Sequence, residues 1–375
     1  MEFNLDTIQL MTQKSMREFV RRELVPLGQE LDELAEFPMH IYRQIVDLGV
    51  LDMTLPEEQG GSGTDFLSFI VALEEFAYGN AGLANMIAQT ELIVHLLNRY
   101  GSETLQDMYI SRLVNADAFG TVLLNSGRQE NLDQPVRAVL GAKKYLLNGY
   151  ARYLAGAPLA DMAVVFAQDS QKGLSVFTLD TKIDGVVAGK AIAMMGQRSL
   201  PIGDLILDDV AVSPDALLGD EGQGRTIFSD ALSRLQTATA AVAVGVAQAA
   251  LVEAARYSKQ RAQFGKTLSN FDATRNKVAD IAVGIAAARL LVYQAACAID
   301  KGTKPENPSA MAKLFASDLA AAACKEAVQI HGGYGYVKDY AVERLYRDAV
   351  LTQSYTQAND AQRLQIAGQV FSEIK

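Results

Sequence analysis

The sequence predicts an α+β fold in which a β-rich middle segment separates two helical segments. Residues 7–34 place apolar side chains at the spacing of one helix face, with charged residues between them. Short β-prone runs separated by turn residues occupy the middle of the chain, and helical stretches rich in alanine and leucine return after Gln223. We therefore expect a helical domain over residues 1–117, a β domain over residues 118–222 and a helical bundle over residues 223–375.

A loop divides the predicted N-terminal helical domain. Residues 55–63 contain one proline and three glycines, which interrupt regular structure. Helical spacing of apolar residues resumes over residues 65–78 and again over residues 85–100. Two further helices are therefore expected after the loop.

Four β-prone runs predict strands in the middle domain. They cover residues 145–147, 162–166, 174–179 and 205–207. Turn-forming pairs, including Asn148-Gly149 and Asp184-Gly185, separate the runs and favour reversals of the chain. The segment is therefore expected to form a small β domain.

Alanine- and leucine-rich stretches predict the helices of the C-terminal domain. We expect helices over residues 237–257, 271–301, 308–330 and 341–352. The loops between them are short, which favours antiparallel packing of the helices as a bundle.

Charge and composition exclude several classes of function. The formal net charge is −10, so the protein repels a phosphate backbone and nucleic acid is not an expected partner. The chain has only three histidines, and no cysteine–histidine spacing predicts a metal site. Cys297 and Cys324 lie in helix-like stretches, which predicts free thiols in a reducing compartment.

The sequence also lacks the usual signals for export and membrane insertion. The first ten residues include acidic side chains and no long apolar core, so we expect no signal peptide. No charge-free apolar run of about 18 residues stands out, so we expect no membrane span. These features predict a soluble cytoplasmic protein.

Ordered motifs along the chain resemble those of the acyl-CoA dehydrogenase family. Residues 261–266 read RAQFGK and resemble the family's RxxFGK signature, and residues 329–336 read QIHGGYGY and match QxxGGxGY. The ERLYRDA string of residues 343–349 follows, and residues 56–61 and 218–224 also resemble the family. The resemblance covers essentially the whole chain and implies an N-terminal helical domain, a middle β-barrel and a C-terminal four-helix bundle.

The resemblance also implies a cofactor, a substrate class and partners. Members of this family bind FAD and an acyl thioester, and they are typically homotetramers arranged as a dimer of dimers. A glutamate removes the α proton while the flavin takes the β hydride. The substrate is therefore expected to be an acyl-CoA or an acyl-carrier-protein thioester, and electron-transfer flavoprotein is a further candidate partner.

Positions that the family uses for its own flavin differ in this chain. The family has a threonine that bonds to the flavin edge where this chain has Val122. A second contact comes from a Trp-Ile-Thr sequence, which corresponds here to Tyr153, Leu154 and Ala155. Ala155 has no hydroxyl for the flavin, whereas Tyr153 still offers an aromatic ring.

Positions that serve the thioester also differ. Thr356 occupies the usual position of the catalytic glutamate, and a threonine hydroxyl is a weak base at neutral pH. Leu235 and Gln236 replace a Glu-Arg pair that carries the base in other members. Ser233 replaces an aspartate that commonly contacts pantetheine.

Five residues that the resemblance assigns to a neighbouring subunit's FAD are kept. They are Arg261, Phe264, Gln329, Gly332 and Gly333. A guanidinium suits a pyrophosphate, a phenyl ring offers an aromatic face, and glycines let the backbone approach a nucleotide closely. The alternative is that the glycines and Phe264 persist only because the bundle packs around them.

Three functional hypotheses follow. The first is the flavin-poor subunit of a heteromeric acyl-CoA dehydrogenase, in which a paralogous subunit supplies the flavin-edge contacts and the base. The second is an independent, homo-oligomeric acyl-CoA dehydrogenase with Glu91 as a relocated base, since burial among apolar neighbours would strengthen a carboxylate as a base. The alternative for Glu91 is a solvated or salt-bridged residue of its helix. The third is a flavin-independent protein on the same fold, either a thioester-binding, lyase or hydratase protein in which Arg128 and Glu130 belong to a remodelled site, or a purely structural or scaffolding pseudoenzyme.

Overall fold

The computed structural model describes residues 4–124, 136–141, 143–169 and 172–374. Arg128 and Glu130 lie outside the described residues. Helices form the N-terminal part of the chain, strands the middle part and helices the C-terminal part.

The N-terminal helices follow one another from residue 7 to residue 114. They are α1 (Thr7–Phe19), α2 (Gly28–Leu34), α3 (Met39–Asp47), α4 (Phe66–Gly79), α5 (Ala81–Tyr100) and α6 (Glu103–Val114). The helix predicted over residues 7–34 is interrupted by a π-helical turn and a 3-10 turn, because Pro26 has no N–H to donate. The helix predicted over residues 85–100 begins earlier, at Ala81, because the Asn80 side chain accepts a bond from the Leu83 N–H.

Seven strands of the described chain form one mixed sheet. They are β1 (Gly120–Leu123), β2 (Val136–Leu140), β3 (Tyr145–Ala155), β4 (Met162–Asp169), β5 (Gly173–Asp180), β6 (Val186–Ala188) and β7 (Ile202–Val212). The spatial order is β1-β4-β2-β3-β7-β6, and β5 pairs with β4. β1 and β2 both run parallel to β4, whereas β3 is antiparallel to its neighbours β2 and β7.

The turn predicted at Asn148-Gly149 is wrong, because both residues lie inside β3. The register between β3 and β7 shifts between Leu147 and Gly149, which is a β-bulge. A Cβ at position 149 would lie 2.8 Å from the Val136 Cα, so glycine permits the close approach of β2. The Asn148 side chain pairs with Asp209 across the bulge, where its amide donates to the carboxylate at 2.8 Å.

The C-terminal part is a bundle built on one long helix. Its elements are α7 (Gly224–Gln260), β8 (Ala262–Gln263), β9 (Lys266–Thr267), α8 (Asp272–Asp300), α9 (Glu306–His331), α10 (Val342–Thr352) and α11 (Asn359–Glu373). The first helix begins at Gly224, next to Gln223, where the sequence predicts the return to helical structure, and it includes the alanine- and leucine-rich residues 237–257. The helix α11 was not predicted, because apolar side chains such as Leu364 and Phe371 are 75% and 76% exposed and form no stripe toward the core.

The bundle helices α7 and α8 have the length and composition of helices that cross membranes. This differs from the prediction that no stretch of the sequence would do so. A core helix of a bundle has the same composition, and 72% of the apolar window of α7 is buried inside the protein. The corresponding window of α8 is 33% buried.

Close packing of α4 on α7 joins the N-terminal helices to the bundle. Every residue of α4 from Phe66 to Ala77 is buried. A Cβ at Gly245 of α7 would lie 2.3 Å from the Glu74 carbonyl oxygen, so glycine permits this contact. The Glu74 carboxylate pairs with Arg289 of α8 at 2.5 Å. This packing sets α5, the helix after α4, against α7 at the candidate site.

Candidate active site and nucleotide-binding surface

A buried ion pair joins α5 to α7. The Glu91 carboxylate lies 2.6 Å from Nη1 of Arg234 and accepts a second hydrogen bond, of 2.9 Å, from the Thr54 hydroxyl. The Glu91 side chain is 3% exposed and the Arg234 side chain 11% exposed. The guanidinium also lies 4.4 Å from the centre of the Phe66 ring, a distance typical of cation–π contacts. The predicted apolar surroundings of Glu91 are therefore wrong, because a cation and a hydroxyl contact its carboxylate.

A second polar pair lies one turn further along α5 and one turn earlier on α7. His95 Nε2 lies 2.9 Å from Asp230 Oδ2, and the Tyr100 hydroxyl donates to the same oxygen at 2.9 Å. Burial lowers the pKa of His95, so the neutral imidazole donates Nε2–H to the carboxylate. Burial would raise the pKa of Asp230, but the hydrogen bonds from His95 and Tyr100 outweigh it and lower that pKa to about 2.

His95 and Asp230 are absent from the predicted site residues. Their spacing in the sequence indicates two polar helix faces, because Glu91 and His95 are four residues apart, as are Asp230 and Arg234. Residues with this spacing lie on one helix face. The sequence alone gave no reason to set these two faces against each other.

The family's two base positions are occupied here by Leu235 and by Thr356. Leu235 is buried in the apolar cluster that includes Val122 of the sheet. Its neighbour Gln236 is fully buried, and neither polar atom of its side-chain amide has a hydrogen-bond partner among the described residues. The buried Thr356 hydroxyl also has no partner there, and the backbone φ of 67° is unusual for a β-branched residue. Each of the two base positions therefore lacks a carboxylate, and a buried polar group at or next to each position has no hydrogen-bond partner among the described residues.

Lys313 of α9 holds the segment that carries Thr356. Its ammonium donates to the Gln357 carbonyl at 2.6 Å, the Gln353 carbonyl at 3.0 Å and Asn359 Oδ1 at 2.7 Å. The side chain is fully buried, and burial lowers the pKa of the amine to about 7. These bonds to both sides of Thr356 fix the segment against α9.

The flavin-edge positions lie in the sheet and pack against helices, Val122 in the cluster that includes Leu235 and Ala155 in the main cluster of the helical domains. Val122 of β1 is buried, and so is Ala155 at the end of β3. The Thr121 hydroxyl donates to the Ala155 carbonyl at 2.9 Å, and Gln89 Nε2 donates to the same oxygen at 2.8 Å. Thr121 therefore does not replace the hydroxyl missing at position 122, because its own hydroxyl bonds within the protein. Tyr153 is 55% exposed.

A surface pocket of about 460 Å³ lies where the end of α7 meets the end of α9. Three of the five predicted cofactor-binding residues line it, namely Arg261, Gly332 and Gly333. Tyr257 and His331 also line it, and their rings stack with centroids 4.2 Å apart. The pocket thus combines a guanidinium, stacked aromatic rings and glycine backbone, which is a donor set suited to a nucleotide.

Packing within the chain does not explain the glycines of this pocket. A Cβ at Gly332 or Gly333 would meet no atom of the described residues within 4 Å. Gly332 has φ 59° and ψ −136°, a region that only glycine adopts readily. Phe264, in the turn between β8 and β9, is 92% exposed, and Gln329 is exposed on α9. Neither of these two lines the pocket, so the structure brings together three of the five predicted residues.

Family models match both helical parts of the chain. Residues 7–117 match the model described as acyl-CoA dehydrogenase, N-terminal domain. Residues 222–371 match the model described as acyl-CoA dehydrogenase, C-terminal domain.

Individual relatives cover nearly the whole chain. A short-chain-specific acyl-CoA dehydrogenase of Clostridium acetobutylicum is 35% identical over 99% of this chain and 100% of that protein. The subunit CarC of the caffeyl-CoA reductase-Etf complex of Acetobacterium woodii is 35% identical over 97% of this chain and 98% of that protein. The butyryl-CoA dehydrogenase of Megasphaera elsdenii has the same fold, with a TM-score of 0.93 at 34% identity over 99% of this chain and 100% of that one.

These matches confirm the fold class and the resemblance predicted from the motifs. The chain belongs to the acyl-CoA dehydrogenase family.

Proposed function

We propose that this chain is the flavin-poor subunit of a heteromeric acyl-CoA dehydrogenase and completes the FAD site of a paralogous subunit. One contrast carries the proposal. The positions for the chain's own flavin hold Val122 and Ala155, whose side chains have no hydrogen-bonding group. Arg261 and the glycines Gly332 and Gly333, in contrast, line an open pocket at the surface.

The pocket residues supply binding groups for a nucleotide. Arg261 offers charge-assisted hydrogen bonds to a pyrophosphate, and the backbone at Gly332 and Gly333 is open to close approach. Phe264 and Gln329 are exposed and each lies next in sequence to a residue that lines the pocket, Gln263 and Ile330 respectively. When bound, FAD supplies the acceptor for a hydride from the acyl chain.

The paralogous subunit supplies the catalytic base in this proposal. Removal of an α proton from a thioester needs a carboxylate within hydrogen-bond reach. This chain has Leu235 and Thr356 at the two positions where the family places it. The chain therefore contributes binding energy for the cofactor, and the partner contributes proton transfer. Electron-transfer flavoprotein is the proposed electron acceptor, since a relative is named as a subunit of an Etf complex.

Flavin content is the direct test. The isolated chain should be colourless, and it should take up about one FAD per heterodimer when it is reconstituted with a paralogous acyl-CoA dehydrogenase of the same organism. An isolated chain that carries one FAD per subunit contradicts the proposal. A reconstituted complex that stays colourless contradicts it as well and supports the flavin-independent hypothesis.

Arg261→Ala tests the contribution in trans. Loss of a hydrogen-bonded charge pair should weaken FAD binding by the complex about tenfold to hundredfold. Arg225→Ala is the matched control, because Arg225 is exposed in the first turn of the same helix, roughly 50 Å from Arg261 along the helix axis. Equal FAD affinity in both variants would remove the support for a trans role.

An independent dehydrogenase with Glu91 as its base is the second candidate. It is favoured by the burial of Glu91 next to α7, the helix that carries Leu235. The bonds from Arg234 and Thr54 argue against it, since they occupy the carboxylate. Glu91→Gln should abolish turnover of the isolated chain if Glu91 is the base. Unchanged turnover excludes that role.

A further inference from the structure

One buried polar side chain of α7 has no hydrogen-bond partner in the described chain. Gln236 is fully buried, and its Nε2 and Oε1 have no hydrogen-bond partner among the described residues. Arg234 Nε, two residues earlier on the same helix, and the Thr356 hydroxyl are also buried without a partner among these residues. Buried polar groups in native proteins are bonded in the great majority of cases. An amide that has neither bond within the chain therefore needs a partner from outside it, which is a water molecule or a group of a ligand.

Hydrogen bonds from one face of α9 locate these atoms relative to each other. Ser309 bonds to Thr237, the residue after Gln236, at 3.0 Å. One turn later Lys313 bonds to the carbonyl of Gln357, the residue after Thr356, at 2.6 Å. Gln236 and Thr356 are therefore each followed by a residue that bonds to this face of α9, at positions one turn apart.

Helix geometry gives the direction of the Gln236 side chain. Successive residues of an α-helix are rotated by about 100°. Leu235 faces the apolar cluster of the sheet that contains Val122, and Thr237 faces α9. The Gln236 side chain therefore points between the sheet and α9, toward the segment that carries Thr356.

The ionic side chains around this junction are hydrogen-bonded within the chain. Glu91 pairs with Arg234 at 2.6 Å. The three N–H groups of Lys313 are shared among four oxygen acceptors, which leaves none for a ligand. The Gln236 amide is uncharged, and it offers both a donor and an acceptor. A neutral group with a donor and an acceptor complements this arrangement.

We propose that this junction binds a neutral hydrogen-bonding group, a hydroxyl or a carboxamide, on the acyl part of a thioester, with Gln236 as its main contact. The site has no base of its own, so the ligand is held in this subunit without dehydrogenation. The inference rests on the proposed function only in that the site takes an acyl thioester. It does not depend on flavin or on the partner subunit.

Calorimetric titration of the full-length isolated chain tests the proposal. The probes are butyryl-CoA, 3-hydroxybutyryl-CoA, 4-hydroxybutyryl-CoA and the charged succinyl-CoA. At least one hydroxyacyl-CoA should bind about tenfold to hundredfold more tightly than butyryl-CoA and succinyl-CoA, because only it satisfies the buried amide. Equal affinity for all four probes, or preference for succinyl-CoA, overturns the proposal.

Gln236→Leu separates a ligand contact from a structural role. It should remove the preference for the hydroxyacyl-CoA and leave butyryl-CoA binding unchanged. It should also raise the unfolding midpoint of the unliganded chain by about 2 °C or more, because an unsatisfied buried amide is removed. Equal losses of affinity for butyryl-CoA and for the hydroxyacyl-CoA would mean that Gln236 contacts pantetheine, which would overturn the acyl assignment. A lowered unfolding midpoint would show that the protein itself provides hydrogen bonds to the amide, which would overturn the proposal.

Gln248→Leu is the matched control, since Gln248 is on the same helix but its amide oxygen accepts a bond from Arg289. The control should leave the preference for the hydroxyacyl-CoA intact. Failure of the flavin reconstitution together with retained selectivity would reject the proposed function alone.

Discussion

Glu91→Gln should destabilise the protein strongly because it leaves a buried cation without a counter-charge. Glutamine keeps the shape of the side chain and removes only its charge. Arg234 is 11% exposed at its side chain, so water cannot solvate the guanidinium well. The Phe66 ring at 4.4 Å and the more distant Asp230 and Asp300 carboxylates also attract the guanidinium, and these weaker interactions compensate only partly.

The expected loss is about 3–5 kcal/mol in the free energy of unfolding, the usual result of removing one partner of a buried ion pair. Glu253→Gln is the control, since its pair with Arg256 is partly exposed, at 25% and 57% of the two side chains. A surface pair contributes only about 0–1 kcal/mol. The double variant Glu91→Gln/Arg234→Met should recover most of the loss, because it removes both buried charges.

Urea unfolding followed by far-ultraviolet circular dichroism measures these differences. The midpoint of Glu91→Gln should fall clearly below those of the unaltered protein, the Glu253→Gln control and the double variant. A loss below about 1 kcal/mol for Glu91→Gln would mean that the pair behaves as a solvated one. A double variant less stable than Glu91→Gln would refute the argument from an uncompensated charge.

Backbone geometry, the buried lysine and the buried histidine provide three further tests. Gly332→Ala should lower the free energy of unfolding by about 1–3 kcal/mol, because alanine would be strained at its φ of 59°. Gly333→Ala is the control and should change the thermal midpoint little, because a Cβ there meets no other atom of the described residues within 4 Å. Equal effects of the two substitutions on the thermal midpoint would contradict this reasoning. Lys313→Met removes the donor to the Gln357 carbonyl, so amide hydrogen exchange in residues 353–359 should accelerate while that in α7 does not. Burial lowers the pKa of His95, so the folded state binds fewer protons than the unfolded state below about pH 6.5. Stability should therefore fall as the pH decreases from about 6.5, and a slope that persists in His95→Gln would contradict the assignment.

Local pattern predicted most elements of the fold. Helical spacing and alanine content predicted α8, α9 and α10 to within two residues of their observed ends. Hydrophobic period and turn chemistry act over a few residues, so a single sequence contains them. The same reasoning failed at Asn148-Gly149, because this pair serves equally in a turn and in a bulge. The choice there depended on β2 and β7, which approach from elsewhere in the chain.

The sequence by itself determined the family resemblance, the absence of a carboxylate at Leu235 and Thr356, and the glycine-rich motif that lines the candidate nucleotide pocket. Only the tertiary structure paired Glu91 with Arg234, which is 143 residues away. It also revealed the unpartnered amide of Gln236. The physical reason is that burial and counter-charge are properties of packed helices, so neither can be assigned until α5 and α7 are in contact.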